Sequence, residues 1–385
     1  MGRPSRLAEI TMAWCVVAAG CRQPTQETSP RNAEPIPIET ELERRQRMVG
    51  ELQDDILAAY DRDDATDIDT SLIAAKVGLA RIGVGPGDML FGDDVRRRAS
   101  SRWPLFVEPG TPTEVRSKRL DIHLSSDRLV VAAWMSDEVS WRVSLCNRIA
   151  AIPLRITALF AHDGDRWVRV VEHLSFGNVP TPTPELYGLP VTPAVVSDAT
   201  ARAMLAALAP VLAHDPAGLA SAVWLDRQHL AETDLLKPSP TLLISPDPDG
   251  EWHGTDDIGR AQLVDGKLEP EALRIGTIGA NPSRATVGYA VGNFVATLVD
   301  RSGVEGGKVR LRGSFVFEKR AENHTTAIDC SNPKNACRWY VVQGHVSRPV
   351  DDISLASIVF GTALTSEKPL QIMCDRAAGS GSVTQ

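Results

Sequence analysis

Aromatic side chains make up only 5% of this 385-residue chain, and no block of Lys or Arg stands out against a formal net charge of −8. The acidic balance disfavours non-specific binding to nucleic acid or anionic lipid. With so few aromatic platforms, nucleic-acid recognition is not expected. Catalytic and metal-binding signatures are missing as well. No H-E-x-x-H, G-x-S-x-G or EF-hand spacing occurs. Gly83-Val84-Gly85-Pro86-Gly87 is glycine-rich but lacks the Gly-Lys-Ser/Thr ending of a phosphate cradle, and Pro86 removes a donor, so it reads as a turn. Neither a metal nor a cofactor is expected.

What is present begins at the N-terminus. Arg3 and Arg6 precede an apolar run from Ile10 to Gly20 that ends at Cys21. The run is too short to span a bilayer but suits a signal-peptide core. Ala18-Ala19-Gly20-Cys21 resembles the lipobox of bacterial lipoproteins, although Ala18 stands where Leu is usual and Glu9 adds a charge beside the run. The resemblance implies cleavage before Cys21, acylation there, and a membrane-anchored protein of the bacterial cell envelope, on its periplasmic or surface face. An ordinary cleaved signal peptide is the alternative. Residues 22–39, rich in Pro, Thr, Gln and Glu, have little to bury and read as a disordered tether.

Six cysteines occur. Cys15 leaves with the signal, and Cys21 is the lipidation site. Cys330 and Cys337 share a polar loop and are close enough to close a small ring, so an oxidising compartment favours a disulfide. With His324 the only nearby histidine, they make a poor zinc site. Cys146 and Cys374 either pair across domains or stay as thiols.

The chain also repeats itself. Residues 152–175 and 309–347 each carry an alternating strand with an arginine (Arg155, Arg312), followed by a strand reading Arg-Trp-x₅-His-x-Ser. The second strands align at an offset of 172 residues (His173 to His345) and the first at 157 (Arg155 to Arg312). The difference is an insertion holding Cys330 and Cys337. Upstream, Val131–Val139 falls against Val287–Val295 at an offset of 156, which sets Ala133 against Tyr289. A period this long is a domain duplication rather than a solenoid.

Each copy reads as helices first and strands after, which is an α+β order. In the first, Thr40-Glu41-Leu42-Glu43 is a capping box ahead of Leu42, Val49, Leu52, Ile56 and Tyr60 at helical spacing. A second helical stretch is expected over 70–82, then strands near 119–124, 128–144, 150–161 and 166–175. The second copy starts with Ser197 as N-cap before Ala201, Met204, Leu205, Leu208 and Leu212, with a short helix around 217–227. Strands follow near 241–245, 271–278, 284–300, 307–319 and 338–347, and Asp351–Phe360 reads as a short helix.

The hairpin pattern P-L-R-x-T-x-x-F followed by R-W-x-V-V-x-x-H-x-S resembles SnoaL-like domains of the nuclear transport factor two-like superfamily. The resemblance implies two tandem cone-shaped (cystatin-like) α+β barrels, each with N-terminal helices and a curved, mostly antiparallel sheet around a cavity. The division is then 1–21 signal peptide and lipobox, 22–39 tether, 40–178 first domain, 179–194 Pro-rich linker, 195–362 second domain and 363–385 tail. The superfamily holds isomerases, cyclases, dehydratases, adaptors and members without known activity, so the fold does not name a function.

Strict alternation puts Trp167, Arg169, Val171, His173 and Ser175 on one face of the last strand, and Trp339, Val341, Gln343, His345 and Ser347 on the matching one. His173, Ser175, Trp339, Gln343, His345 and Ser347 are the candidates for lining a ligand cavity. His345, Asp256, Asp257, Tyr289 and His173 are the candidates for catalysis, a histidine as general base or a carboxylate with a tyrosine. The bland alternatives are a hydrogen-bonded neutral histidine and, for Asp256 and Asp257 as for Asp93 and Asp94, a helix cap. Arg155 and Arg312 either bind an anion, lie solvated on the outer face, or pair with a neighbouring strand's acid such as Asp137 or Glu138. The leading expectation is a non-catalytic, lipid-anchored protein binding a small apolar ligand or a partner protein. An isomerase-, cyclase- or dehydratase-type enzyme acting in the second cavity is the rival. A third alternative is a purely structural protein whose domains dimerise through their sheets, or whose two linked copies form an internal pseudo-dimer instead.

Overall fold

In the computed structural model the described residues are 39–60, 80–85, 88–92, 113–145, 148–176, 198–223, 235–236, 239–246, 250–254, 266–279, 281–299, 304–321 and 329–350. Helix α1 (Glu41–Tyr60) starts at the expected box. Glu43 N–H donates to Thr40 Oγ1 at 3.2 Å, and Thr40 N–H donates to Glu43 Oε2 at 2.8 Å. Met48, Leu52, Ile56 and Tyr60 form its buried stripe, while Leu42 is left exposed. Helix α2 (Ala199–Ala213) is capped by Asp198, whose carboxylate accepts from Ala201 N–H at 2.8 Å. The short helix α3 (Pro216–Ala222) follows.

Among the described residues twelve strands make two open sheets. The first contains β1 (Ala80–Ile82), β2 (Met89–Phe91), β3 (Thr113–Leu124), β4 (Ala132–Leu145), β5 (Arg148–His162) and β6 (Trp167–Phe176). The second contains β7 (Leu242–Ile244), β8 (Glu251–His253), β9 (Gly266–Thr277), β10 (Val287–Val299), β11 (Glu305–Ala321) and β12 (Cys337–Ser347). Their orders correspond, β2-β1-β6-β5-β4-β3 and β8-β7-β12-β11-β10-β9. In each, one short strand runs parallel to the last long one (β1 with β6, β7 with β12), and the other pairings are antiparallel. The expected barrels are therefore open sheets with two edges each. The helix expected over 70–82 is corrected at its end, where Ala80–Ile82 is strand β1; residues 70–79 lie outside the described residues. A short apolar run does not by itself distinguish strand from helix.

Three cores follow from the layering. Helix α1 packs with Val139, Trp141, Ile156, Phe160 and Leu174 of the first sheet. Helix α2 packs with Phe294, Phe315, Phe317 and Val341 of the second. The third core joins the sheets to each other, bringing Trp134, Leu159 and Val168 of the first against Val287, Val291 and Val316 of the second. The sheets thus meet face to face on the sides away from their helices.

Two bulges decide what reaches that contact. In the β5–β6 ladder Leu159 pairs with Val171 and Phe160 with Arg169, leaving Val170 extra. In the β11–β12 ladder Val316 pairs with Gln343 and Phe317 with Val341, leaving Val342 extra. An extra residue breaks period two, so the single faces expected for the last strands are corrected. Trp167 and Trp339 belong to the helix-side cores, while Val171 and the bulged Val170 and Val342 belong to the inter-sheet core.

The alignment of β4 with β10 is corrected too. Arg155 pairs with Glu138, and Arg312 pairs with Asn293. Matching the arginines sets the offset at 155 (Glu138 to Asn293), one less than the sequence comparison indicates. Trp134 is then the counterpart of Tyr289, not Ala133, and both lie against the inter-sheet core. A slip of one residue turns a side chain to the opposite face.

Candidate functional site

The two candidate histidines meet. His173 and His345 are both fully buried between the sheets, with rings stacked at 3.8 Å between centroids and 19° between planes. His173 Nδ1 is 3.0 Å from Ser314 Oγ, and its Nε2 is 2.7 Å from Ser347 Oγ. His345 Nδ1 is 2.9 Å from Thr157 Oγ1, and its Nε2 is 2.8 Å from Ser175 Oγ. Every bond runs from one sheet to the other, and each has a mate under exchange of the halves, as in an isologous contact. A neutral imidazole has one donor and one acceptor nitrogen, and a hydroxyl serves either, so both rings are satisfied uncharged. Burial, first of all, holds both histidines well below the ordinary imidazole range, with Arg312 and Arg155 adding repulsion. His345 repels the charged form of His173 as well.

The arginines lie beside this network. The Arg312 guanidinium donates to the carbonyls of Gly85 at 2.6 Å and Val84 at 3.2 Å. Burial brings it down to about 10, against the pull of Asp88. The Gly83–Gly85 turn is thus an acceptor site for an arginine of the other half. Asp88 Oδ2 accepts from Gly85 N–H at 2.7 Å. Arg155 is buried opposite Glu138, 3.5 Å from the Phe176 carbonyl. Gln343 Nε2 donates to the Met135 carbonyl at 3.0 Å, again across the contact.

The remaining candidates are scattered. Trp339 packs against α2. Tyr289 stands over Gly276, where a Cβ would come within 2.5 Å of its ring, and burial raises its pKa. Asp256, Asp257, Asp93, Asp94, Cys21, Cys146 and Cys374 lie outside the described residues. Cys330 and Cys337 are joined, with Cα atoms 5.7 Å apart. Among the described residues no group of three His, Cys, Asp or Glu side chains could hold a metal ion.

Further buried charge sites lie outside the candidates for catalysis and for a ligand cavity. Asp137 Oδ1 accepts from Ser117 O–H at 3.1 Å and Arg119 N–H at 3.3 Å, with the Tyr60 hydroxyl beside it. Burial pushes its carboxyl up to about 6. Its counterpart in the second half is Gly292, where a Cβ would sit 1.9 Å from the Ala272 carbonyl oxygen. The comparison of the two halves could therefore not single it out. Another is Glu172, set between Arg81 Nε at 3.0 Å and an Arg169 guanidinium nitrogen at 2.7 Å, all three side chains nearly solvent-free. Glu318 and Arg320, paired at 2.6 Å, are a buried ion pair of the second half.

No family model and no curated protein matches the chain. Solved structures do. A putative dehydratase of the nuclear-transport-factor-two-like family from Streptomyces avermitilis is 15% identical, covering 34% of this chain and 96% of its own, with a TM-score of 0.28. The association domain of CaMKII from C. elegans is also 15% identical, covering 36% and 99%, at 0.26. A phenazine biosynthesis-related protein from Pseudomonas aeruginosa is 14% identical, covering 41% and 98%, at 0.25. Proteins so different, at scores so low, assign no activity to this chain.

Proposed function

We propose that the chain is a lipid-anchored protein of the bacterial cell envelope whose two SnoaL-like halves, tandem copies of one cone fold, form an internal pseudo-dimer that binds ligands without catalysis. The observation that carries this reading is the inter-sheet histidine pair. Each imidazole is enclosed and bonded on both nitrogens by hydroxyls of the opposite sheet. Neither has a free nitrogen to take a proton from a substrate. The reciprocity of these bonds supports a single internal pairing over pairing between chains. For the address, the lipobox-like Ala18-Ala19-Gly20-Cys21 and the tether after it support anchoring. Several acyl chains, each buried CH₂ contributing about 0.8 kcal/mol, hold a protein stably at a membrane. Replacing Cys21 by Ala is expected to move the protein from the membrane to the soluble fraction of fractionated cells. Undiminished membrane partitioning of that variant would refute lipidation at Cys21.

A second reading has one observation in its favour. Asp137, at about 6 and beside Tyr60, has the tuning of a general base or acid working near neutral pH. It is buried to 2% exposure, however, within the core that α1 fills. Incubation with an enolisable ketone in deuterated water separates the two readings. No deuterium uptake above buffer is expected. Uptake that disappears in Asp137→Asn would establish an enzyme working in the first half.

A further inference from the structure

Beside α2, away from the inter-sheet contact, an open groove of about 560 Å³ runs between α2, α3 and the start of β12. That volume lies in the range of roughly 300–1,000 Å³ usual for small-molecule sites. One side is apolar and shallow, made by Ala203, Ala207 and Pro210 of α2. The other side is Trp339, with Lys319 beside it and the disulfide-bonded Cys337 at the rim.

The first half has different residues at the corresponding place. Met48, Leu52 and Ile56 of α1 correspond to Met204, Leu208 and Leu212 of α2 as the buried stripes of the two helices. The same spacing sets Arg47 and Glu51 at the positions of Ala203 and Ala207. Arg47 and Glu51 form an ion pair at 2.9 Å and lie close enough to His162 to act on its charge. On the sheet side, His162 pairs in the ladder with Trp167 as Lys319 does with Trp339. The first half thus has a charged pair near its tryptophan–histidine corner. In the second half two alanines leave the corner open, and a lysine replaces the histidine.

The lining carries charge of one sign. Among the described residues that line it, Lys319 and Arg338 are the only ionisable side chains, Cys337 being disulfide-bonded. Arg338 is engaged by Tyr340, donating to its hydroxyl at 2.6 Å and lying over its ring. The Lys319 ammonium stands 5.0 Å from the Trp339 ring centre and makes no ion pair among the described residues. Partial burial lowers its pKa. A half-buried cation on an aromatic wall, facing a small-residue floor, is complementary to an anion with a flat apolar body.

We propose that this groove binds a compact organic anion, a carboxylate or sulfonate on an apolar or aromatic body, with Lys319 as counter-ion and Trp339 as wall. The proposal names the ligand class for the binding reading above and rests on it. The test is fluorescence titration of the full chain with 8-anilinonaphthalene-1-sulfonate, against the neutral N-phenyl-1-naphthylamine. One saturable site is expected, about tenfold or more in favour of the sulfonate. Lys319→Ala should erase that preference, and Lys319→Arg should keep it. Ala203→Arg with Ala207→Glu, which installs the charged pair of the first half, should abolish binding of both probes. Equal affinity for the two probes, an unchanged preference in Lys319→Ala, or undiminished binding by a folded double variant would overturn the proposal. Should the double variant not fold, the contrast between Lys319→Ala and Lys319→Arg decides alone. Failure here removes the anion site and leaves the non-catalytic reading intact, whereas deuterium uptake dependent on Asp137 removes the latter whatever the probes do.

Discussion

Replacing Glu172 by Gln is expected to lower the stability of the folded chain by about 3–5 kcal/mol, the usual cost of removing one partner from a buried ion pair. The carboxylate lies between the guanidinium groups of Arg81 and Arg169, which come from β1 and from its own strand β6. Side-chain exposure is 1% for Glu172 and Arg81 and 4% for Arg169, so water cannot take over the lost charge. Glutamine keeps the shape and one acceptor but leaves two arginines without the anion between them. Against a total stability of roughly 5–15 kcal/mol, such a loss is large. The control is Glu51→Gln, which breaks the Arg47–Glu51 pair, where both side chains are about half exposed. Surface pairs contribute about 0–1 kcal/mol, so little change is expected there. Urea unfolding at pH 7.5 compares the two. If both variants lose the same small amount, Glu172 is not what neutralises this cluster.

The buried charges mark where the sequence stops being readable. Strands β3 to β6 and β9 to β12 were legible because their apolar residues alternate over long stretches and because the chain presents the pattern twice. The capping box at Thr40 was legible for a local reason, a threonine and a glutamate three residues apart acting on each other's backbone. Strand β1 was not, since three residues carry no period and Ala80–Ile82 is a strand only through its pairing with β6. Val170 and Val342 were illegible for another reason. A bulge is set by the neighbouring strand, so strict counting carried Trp167 and His173 onto one face when the structure puts them on two. The same limit affected Tyr289, whose alignment was one residue out until the ladder pairs of Arg155 and Arg312 located it.

The candidate site divides in the same way. His173, His345, Ser175 and Ser347 stood out as a repeated pattern, and all four are indeed together. Their partners Thr157 and Ser314 lie on the preceding strands, and nothing in a single sequence signals that the two hairpins face each other. Asp137 is the opposite case: the sequence offered it only as a partner for Arg155 or Arg312, and its buried place beside Tyr60 was not legible, because Gly292 stands at the matching position of the second half. Side chains shared by both halves trace what the paired sheets require. The departures, Asp137 against Gly292 and Arg47–Glu51 against Ala203–Ala207, are where the halves have room to differ in what they do.

Acid is expected to unfold this protein through the inter-sheet pair, which adds two protons to the slope. In the folded chain His173 and His345 are neutral, their pKa values held well below 6.5 by burial and by nearby arginines. Unfolded, both titrate near 6.5. Above that pH neither state binds the protons, and the pair contributes no pH dependence. Below it only the unfolded chain binds them, so stability falls by about 1.4 kcal/mol per pH unit for each histidine, or about 2.7 for the two. His123, lowered to about 4, acts in the same direction. Asp137 opposes them between its unfolded value near 3.8 and about 6, because there the folded chain holds the proton. The net result is a steep loss of stability from pH 6.5 downward, softened by up to one proton below pH 6. Urea midpoints measured from pH 8 to pH 5 give the slope. Replacing His173 and His345 together by Gln, which can still bond the facing hydroxyls, should flatten it by about two protons. NMR provides a check that does not depend on the variant folding. The imidazole resonances of His173 and His345 in the wild-type protein should stay flat between pH 8 and pH 5.5. If instead all histidine signals move with midpoints near 6.5 in the folded state, water reaches the pair and the sheets are not sealed against each other.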